Sequence, residues 1–535
     1  MNTPQLRPSG GYGGTHPVVL DRRLRDWAGL ALGALIPALL AFAIAIELPS
    51  SDLTAILAVI VGVIGIVVLM VTSRLELTVA LLAIYLGMLD GPVKLLFGAH
   101  EETAAIPNLL VLAVCLGAVM RIVVRRERVR MPPLSNWMLA FVGVVMIEAF
   151  NPKTAGVLKI IGGFRQQLQF VPFFFFGFIL LRSKRRLRQL FLIAGVIALA
   201  NGVVAAYQTE LTPTQLASWG PGYHNLIFTP EGGVGSGRVY SSEGEARVRP
   251  PGLGSEAGFG GGAGQLALPF CLALFAVSRR RRWIAGLLCL GALVAVITSL
   301  GRSQVIGAGI DVLAFAGLAI LARQRVTRTL AALAMIVVIG IPVGALVITS
   351  LRSGTFKRYE SINITSSSTD VHKQGALSLI PHYLSAAPFG FGLGIVGPVS
   401  GIGGRQSELL EGHALSSETQ FNLIVNEVGA PGLIVWTGLS LYMMALILRG
   451  MPRIRDGDLA ILLAGFFAPF FTLFFESTSG AFTNSSVAGP YFWASMGVAA
   501  YWFLGPGRRI AERPDGRADA RPALNGGADA RLALN

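Results

Sequence analysis

Three arginines lie apart from the clusters that hold most of the cationic side chains of this sequence. Arg165 stands in GGFRQQLQF, Arg249 in RVRPPGLGSE and Arg302 in TSLGRSQVIG. A guanidinium group binds phosphate through two parallel hydrogen bonds, although a single arginine beside a membrane can equally reach back to water or to a lipid headgroup. Three such residues together favour a substrate that carries phosphate or pyrophosphate.

Carboxylates in apolar surroundings are the complementary groups. Asp90, Asp311 and Glu427 fall within apolar runs, where an ionised side chain is costly and therefore a functional candidate. A structural polar contact between helices is the alternative, and we favour it for Asp90 and Asp311. Glu418 comes just before the apolar run 421–448. Its carboxylate could accept a proton from an attacking hydroxyl group, or it could interact with the positive end of a helix dipole.

Histidines and cysteines show no spacing typical of metal ligands. His372, His382 and His413 share one polar segment, and the three cysteines lie in apolar runs. No GxSxG, HExxH or P-loop sequence occurs, and the glycines of 252–264 lack the strand-to-helix context of a nucleotide-binding loop. The sequence therefore predicts no metal site and no cofactor.

The composition places these residues in a membrane protein. Of the 535 residues, 53% are hydrophobic and only 14% are charged, whereas soluble domains have about 25% charged residues. About 14 apolar runs approach or reach the length of roughly 17–25 residues that crosses a bilayer. These runs are 27–48, 54–71, 77–97, 106–124, 136–150, 168–181, 190–207, 265–277, 283–300, 304–321, 330–348, 421–448, 459–475 and 487–504. We predict an all-α polytopic membrane protein with about 14 transmembrane helices, and with at least about 12.

The net charge of +15 indicates how the chain is oriented in the membrane rather than that it binds an acidic partner. Most lysines and arginines lie in alternate short connections, for example 121–130, 184–188 and 279–282. The positive-inside rule places these connections, and both chain termini, in the cytoplasm. Because this rule accounts for most of the lysines and arginines, the positive net charge does not predict a nucleic acid partner.

Two polar segments are too long to be simple turns, and both fall on the predicted external side, where sites are usually built from long loops. The predicted organisation is a cytoplasmic tail (1–26), an N-terminal transmembrane bundle (27–207), a Gly-rich external loop (208–264), transmembrane helices (265–350), a large external loop (351–420), C-terminal transmembrane helices (421–504) and a cytoplasmic tail (505–535). The last tail holds a ten-residue repeat, GRADARPALN and GGADARLALN, whose composition predicts disorder.

The external segments resemble, in order, the signature of the O-antigen polymerase and O-antigen ligase superfamily. PFGFGLG at 388–394, followed by ETQFNLIVNEVGAPGLIVW, is similar to its C-terminal Pro- and Gly-rich run, His-Asn or Glu-Asn type pair and Glu-x-Gly-x-x-Gly helix. On these motifs the pair is Glu418 and Thr419, and the helix positions are Glu427, Gly429 and Gly432. RPPGLGSEAGFGGGAGQLALP, LGRSQVIGAGI and GGFRQQLQF resemble the earlier arginine-bearing segments.

The resemblance implies a metal-independent glycosyltransferase of the bacterial cytoplasmic membrane. Its donor would be a polyprenyl-pyrophosphate-linked oligosaccharide, and its acceptor a glycan or lipid-glycan at the external face. Arg165 and Arg302, with Arg249, would hold the pyrophosphate and stabilise the leaving group. Glu418 stands where ligases have a histidine, which favours a polymerase or another surface-polysaccharide transferase, and His413 is the alternative base. Whether a partner regulates chain length stays open.

A transporter or flippase of a lipid-linked or anionic solute is the alternative function. Asp90, Asp311 and Glu427, with the Gly- and Pro-interrupted run 77–97, could line a path through the bilayer. The hydropathy pattern does not repeat between the two halves, however, and the long polar segments fall on one side. A scaffold would leave the external arginines unexplained. The sequence therefore favours a glycosyltransferase.

Overall fold

The computed structural model describes residues 75–98, 101–125, 131–154, 156–228, 239–242, 245–278, 280–322, 377–400, 409–410 and 413–512. The runs predicted at 27–48, 54–71 and 330–348 lie outside these residues, as do most of the second loop and both termini. The chain divides into two compact units. One unit, Val79–Val111 with Arg128–Asn535, contains all the cavities and site residues considered below.

The regular secondary structure of the described residues is helical apart from two short hairpins. Its helices are α1 (Leu75–Ile84), α2 (Asp90–Phe97), α3 (Glu101–Arg125), α4 (Ser135–Glu148), α5 (Val157–Leu168), α6 (Phe173–Leu180), α7 (Lys184–Thr209), α8 (Pro213–Ala217), α9 (Pro221–Ile227), α10 (Phe259–Val277), α11 (Arg282–Thr298), α12 (Arg302–Leu321), α13 (Ile380–Ala386), α14 (Gln420–Gly450), α15 (Gly457–Glu476), α16 (Ala488–Ala499) and α17 (Gly507–Ala511). A short π-helix, Tyr85–Leu89, joins α1 to α2, and a second one, Ala500–Leu504, follows α16. The antiparallel hairpins are β1 (Val239–Ser242) with β2 (Glu245–Val248), and β3 (Leu409–Leu410) with β4 (His413–Ala414).

Long apolar helices confirm the prediction of a helical membrane protein. Within the described ranges, six helices are long and apolar enough to cross a bilayer. These are Leu75–Leu96, Lys184–Thr209, Phe259–Val277, Arg302–Leu321, Gln420–Arg453 and Gly457–Glu476. Shorter apolar helices cover Ile106–Val119, Ser135–Glu148 and Arg282–Thr298.

The run predicted to cross the membrane at 168–181 is not one helix. α5 ends at Leu168, and α6 has only 8 residues. Eight residues rise about 12 Å, which is far less than the roughly 30 Å hydrocarbon layer. Pro172, the N-cap of α6, has no N–H to continue a helix across this break. The polar motif GGFRQQLQF therefore lies mainly on α5 rather than ahead of a spanning helix.

Aromatic rings form the core between the long helices. Phe270 of α10 stacks on Phe191 of α7 with a centroid separation of 4.5 Å, and on Phe466 of α15 with a separation of 5.8 Å. All three side chains are fully buried, and each such pair adds about 0.5–1.5 kcal/mol beyond burial of apolar area. This packing fixes α7, α10 and α15 relative to one another.

Polar contacts mark the two ends of this bundle. At one end, Lys184 Nζ donates to Asp456 Oδ2 at 2.7 Å, which joins the starts of α7 and α15. At the other end, Gln265 Nε2 of α10 donates to Glu476 Oε1 at 2.8 Å, where α15 ends. The arginine-rich connections at 184–188, 280–282 and 453–455 thus lie at one end of the bundle, and the cavities described below lie at the other.

The first long loop contains secondary structure of its own. α8, α9 and the β1–β2 hairpin lie within 208–264, and α10 begins at Phe259 rather than at the predicted Gln265. Leu216, Tyr223 and Val248 form a buried cluster with Leu95 of α2. The second half of the glycine run 252–264 is therefore helical, and the loop is anchored to α2.

Candidate functional site

Glu427 is a fully buried carboxylate in α14. Its Oε1 atom accepts hydrogen bonds from Gln166 Nε2 at 2.8 Å and from the backbone N–H of Gly394 at 2.9 Å. Its Oε2 atom accepts a hydrogen bond from Gln167 Nε2 at 2.8 Å. These three donors offset part of the loss of water around the buried carboxylate.

The loop 388–394 packs against a break in α14. The backbone N–H of Phe391 donates to the carbonyl oxygen of Asn426 at 2.7 Å. Gly429 has φ 63° and ψ −157°, a conformation that side-chain-bearing residues rarely adopt. A Cβ atom on Gly429 would lie 2.4 Å from the carbonyl carbon of Phe389. Glycine is therefore required for this loop and the broken helix to meet.

Lys159 of α5 is a second buried charge in this region. Its side chain is fully buried, and Nζ donates to the carbonyl oxygen of Ser400 at 2.6 Å. Burial lowers the pKa of the Lys159 ammonium group, and the nearby negative charge of Glu427 raises it. Because buried charges need opposite charges or hydrogen bonds, Lys159 and Glu427 together tie α5 to the segment 388–400 and to α14.

A cavity of about 760 Å³ opens beside this network. Arg165 and Gln166 of α5 contribute to its lining, as do Lys94 of α2 and Glu256 and Phe259 at the start of α10. The lining combines cations, a carboxylate and amides with aromatic and aliphatic side chains. Such a mixture suits a ligand that has both charged and uncharged polar groups.

Arg165 is the cation that the cavity offers to an anionic ligand. The other lining cation, Lys94, pairs through Nζ with Asp90 Oδ2 at 2.8 Å. Burial lowers the pKa of the Arg165 guanidinium, and the negative charge of Asp90 raises it. Among the described residues, no hydrogen bond or ion pair occupies the Arg165 guanidinium.

A second cavity of about 230 Å³ adjoins the first. Both cavities are lined by Glu256, Phe259, Ala481 and Ser485. The smaller cavity is further lined by side chains from the N-terminal turns of α10 and α12 and from the C-terminal end of α15, namely Gln265, Ser303, Gln304 and Glu476. The two cavities therefore form adjacent compartments at the same end of the bundle.

The three predicted arginines do not meet at one wall. Of the residues that the structure describes, those lining the larger cavity include Arg165 but neither Arg249 nor Arg302. Arg302 is the first residue of α12, and the next two residues, Ser303 and Gln304, line the smaller cavity. Arg249 follows β2 and leads into the loop before α10.

Glu418 is exposed and precedes the N-cap of α14. The cap itself is Thr419, whose Oγ1 accepts a hydrogen bond from the N–H of Asn422 at 3.0 Å. Ser417 lines the larger cavity, so Glu418 follows a residue of the cavity wall. The backbone of His413 lies in β4, and its side chain falls outside the described part of the structure.

Several site residues were not singled out by the sequence pattern. Gln166 and Gln167 lie next to Arg165 in GGFRQQLQF, and Lys159 precedes them on α5. The sequence signal for these residues was that several polar side chains occur in a short, otherwise apolar stretch. Buried amides and ammonium groups need hydrogen-bond partners, so such side chains indicate a polar contact.

Gly432, a predicted supporting residue, is buried in α14 one turn beyond the loop contact.

Two acidic residues in apolar runs make structural contacts. Asp311 of α12 is fully buried and accepts a hydrogen bond from Thr472 Oγ1 of α15. Asp90 pairs with Lys94 within α2. The Asp311 contact joins two helices, as we predicted, whereas the Asp90 contact is an ion pair within one helix rather than the predicted contact between helices.

No group of three or more metal-ligating side chains is placed to hold a metal ion within the described residues.

The chain matches no protein-family model, no curated protein and no solved structure.

Proposed function

We propose that this protein is a glycosyltransferase that polymerises or ligates polyprenyl-pyrophosphate-linked glycan units at the external face of the bacterial cytoplasmic membrane. The observation that carries the proposal is the cavity of about 760 Å³, whose lining includes residues of two of the polymerase- and ligase-like motifs and the segment that follows a third. GGFRQQLQF provides Arg165, RPPGLGSEAGF provides Glu256 and Phe259, and the residues that directly follow PFGFGLG, 395–400, provide another part of the wall.

Arg165 would bind the pyrophosphate of the donor. A guanidinium group forms paired hydrogen bonds to phosphate oxygens and stabilises the negative charge that develops on a leaving pyrophosphate. Lys94 would add positive charge, partly balanced by its ion pair with Asp90. The polyprenyl chain would remain in the bilayer while the glycan occupies the polar cavity.

The position of the cavity supports an external site. It lies at the end of the bundle opposite the Lys184–Asp456 contact. The positive-inside rule predicts that the arginine-rich end is cytoplasmic. The cavity end would then face outward, where lipid-linked glycans are extended.

A reconstitution experiment tests this function. Purified full-length protein in liposomes would be given an undecaprenyl-pyrophosphate-linked oligosaccharide with a metal chelator and no nucleotide sugar. We expect longer lipid-linked glycans and released undecaprenyl pyrophosphate by mass analysis. Arg165→Ala should lower turnover by roughly 100-fold or more.

Arg188→Ala is the matched control, because Arg188 pairs with Asp458 at the arginine-rich end. This variant should keep wild-type turnover. A product that requires a nucleotide sugar, or full activity in Arg165→Ala, would contradict the proposal. Movement of the lipid-linked glycan across the bilayer without a new glycosidic bond would instead identify a transporter.

A further inference from the structure

The two adjoining cavities differ in the charge of their linings. The larger one is lined by two cations, Arg165 and Lys94, and by one carboxylate, Glu256. The described residues that line the smaller one include no lysine or arginine but two carboxylates, Glu256 and Glu476. A pyrophosphate is attracted to the first lining and repelled by the second. The smaller cavity therefore suits a neutral ligand.

The smaller cavity presents groups that recognise hydroxyls. Gln265, Ser303, Gln304 and Ser479 contribute amide and hydroxyl groups to its wall, beside the ring of Phe482. The amide of Gln265 is already oriented by its 2.8 Å hydrogen bond to Glu476. Amides, hydroxyls and an aromatic ring can together hold an uncharged sugar.

Glu256 stands on the boundary between the two cavities. It belongs to both linings and lies just before α10, with its side chain exposed. The turn is fixed by a backbone hydrogen bond of 3.2 Å from the N–H of Phe259 to the carbonyl oxygen of Glu256. A carboxylate at this position can reach a group that projects from one compartment into the other.

We propose that the smaller cavity binds the acceptor sugar and that Glu256 is the general base of glycosyl transfer. This inference rests on the proposed function. The acceptor hydroxyl oxygen forms a bond to the anomeric carbon of the donor sugar. The bond from that carbon to the pyrophosphate oxygen breaks, and its electron pair leaves with the polyprenyl pyrophosphate. The hydroxyl proton passes to the Glu256 carboxylate.

Gly262 offers a direct test of the acceptor site. It lines the smaller cavity from α10, and a Cβ atom there would meet no other atom within 4 Å. Gly262→Leu should therefore fold and fill part of the cavity. Gly309→Leu is the matched control, because Gly309 is exposed on α12, has equally free space and lines neither cavity.

The assay uses the full chain in liposomes with an undecaprenyl-pyrophosphate-linked oligosaccharide as donor. The acceptor is the same oligosaccharide released from lipid and labelled with a fluorophore. Gly262→Leu should raise the acceptor KM about tenfold or more, while its affinity for undecaprenyl pyrophosphate stays at the wild-type value. Gly309→Leu should leave both quantities unchanged.

Glu256→Gln tests the base. It should lower kcat by about 100-fold or more without weakening undecaprenyl pyrophosphate binding, and Glu256→Asp should recover part of the loss. Wild-type turnover in Glu256→Gln, or a wild-type acceptor KM in Gly262→Leu, would overturn the inference while the wild-type protein still forms glycan. If the wild-type protein forms no glycosidic bond, the proposed function itself fails.

Discussion

Gln167 donates a hydrogen bond of 2.8 Å to Glu427 across 260 residues of sequence. The adjacent Gln166 donates to the other oxygen of the same carboxylate. One carboxylate therefore joins α5 to α14 and fixes the turn of α5 that presents Arg165 to the larger cavity. We infer that Glu427 is a positioning residue rather than a group that contacts the substrate.

Replacement of Glu427 should destabilise the protein strongly. Glu427→Ala leaves the amides of Gln166 and Gln167 and the N–H of Gly394 buried without this acceptor. We expect the free energy of unfolding to fall by about 3 kcal/mol or more. The thermal midpoint of the detergent-solubilised protein, followed by fluorescence-detected gel filtration, measures this change.

Glu418→Ala is the control for that experiment. Glu418 is exposed, so its removal should change the free energy of unfolding by less than about 0.5 kcal/mol. Equal thermal midpoints for Glu427→Ala and Glu418→Ala would contradict the structural role of Glu427.

A side chain at Gly429 should prevent the loop 388–394 from packing on α14. Gly429→Ala combines an unfavourable backbone conformation, with φ 63°, and a contact of 2.4 Å to the backbone of Phe389. We expect a loss of more than about 2 kcal/mol. Gly309→Ala, with no atom within 4 Å of its new Cβ, should be neutral or gain up to about 1 kcal/mol. A thermal midpoint for Gly429→Ala at or above the wild-type value would show that the loop does not need glycine.

Hydropathy located the long helices well because burial in lipid requires a continuous apolar run. The run at 459–475, for example, corresponds to Gly457–Glu476. The prediction of a single spanning helix at 168–181 was wrong, because an average of hydropathy over many residues does not detect the break before Pro172. The cost of burying Glu427 was evident from sequence, but its partners on α5 were not, since they depend on tertiary packing. The same holds for the cavities, whose walls come from segments far apart in the chain.

At the start of α14 the capping residue is Thr419 and not its exposed neighbour Glu418. Thr419 is fully buried and caps the helix, so Thr419→Ala should cost about 1–2 kcal/mol in the free energy of unfolding. Glu418→Gln should leave stability within about 0.5 kcal/mol of the wild type. Thermal midpoints of the two variants, measured together, check this order. A larger loss for Glu418→Gln would assign the cap to Glu418 instead.

Asp456 gives the protein a pH-dependent stability at the arginine-rich end. Burial raises the pKa of its carboxyl group, but hydrogen bonds from Lys184 and from the N–H of Leu459 lower it more, so the net shift is downward. A lowered carboxyl pKa contributes stability that is fully present above the unfolded value, about pH 4, and is lost as the pH falls through the folded value.

Asp456→Asn removes this titration but keeps a side chain suited to capping α15. Between about pH 5 and pH 3, the thermal midpoint of the wild type should fall more steeply than that of the variant. If the thermal midpoints of the two proteins fall in parallel with pH, the contact between Lys184 and Asp456 does not contribute to the pH dependence of stability.

The arrangement of the arginines predicts an order of importance for pyrophosphate binding. Arg165 lines the larger cavity, whereas Arg302 and Arg249 do not belong to its described lining. Arg165→Ala should weaken the binding of undecaprenyl pyrophosphate about tenfold to a hundredfold, the loss expected for a hydrogen-bonded charge. Arg302→Ala and Arg249→Ala should each change it less than about threefold, because neither residue lines this cavity and a charge that does not contact the ligand interacts with it more weakly. Native mass spectrometry of the three variants in nanodiscs measures these affinities. A greater loss for Arg302→Ala than for Arg165→Ala would move the pyrophosphate toward the smaller cavity, and would reverse the assignment of donor and acceptor compartments.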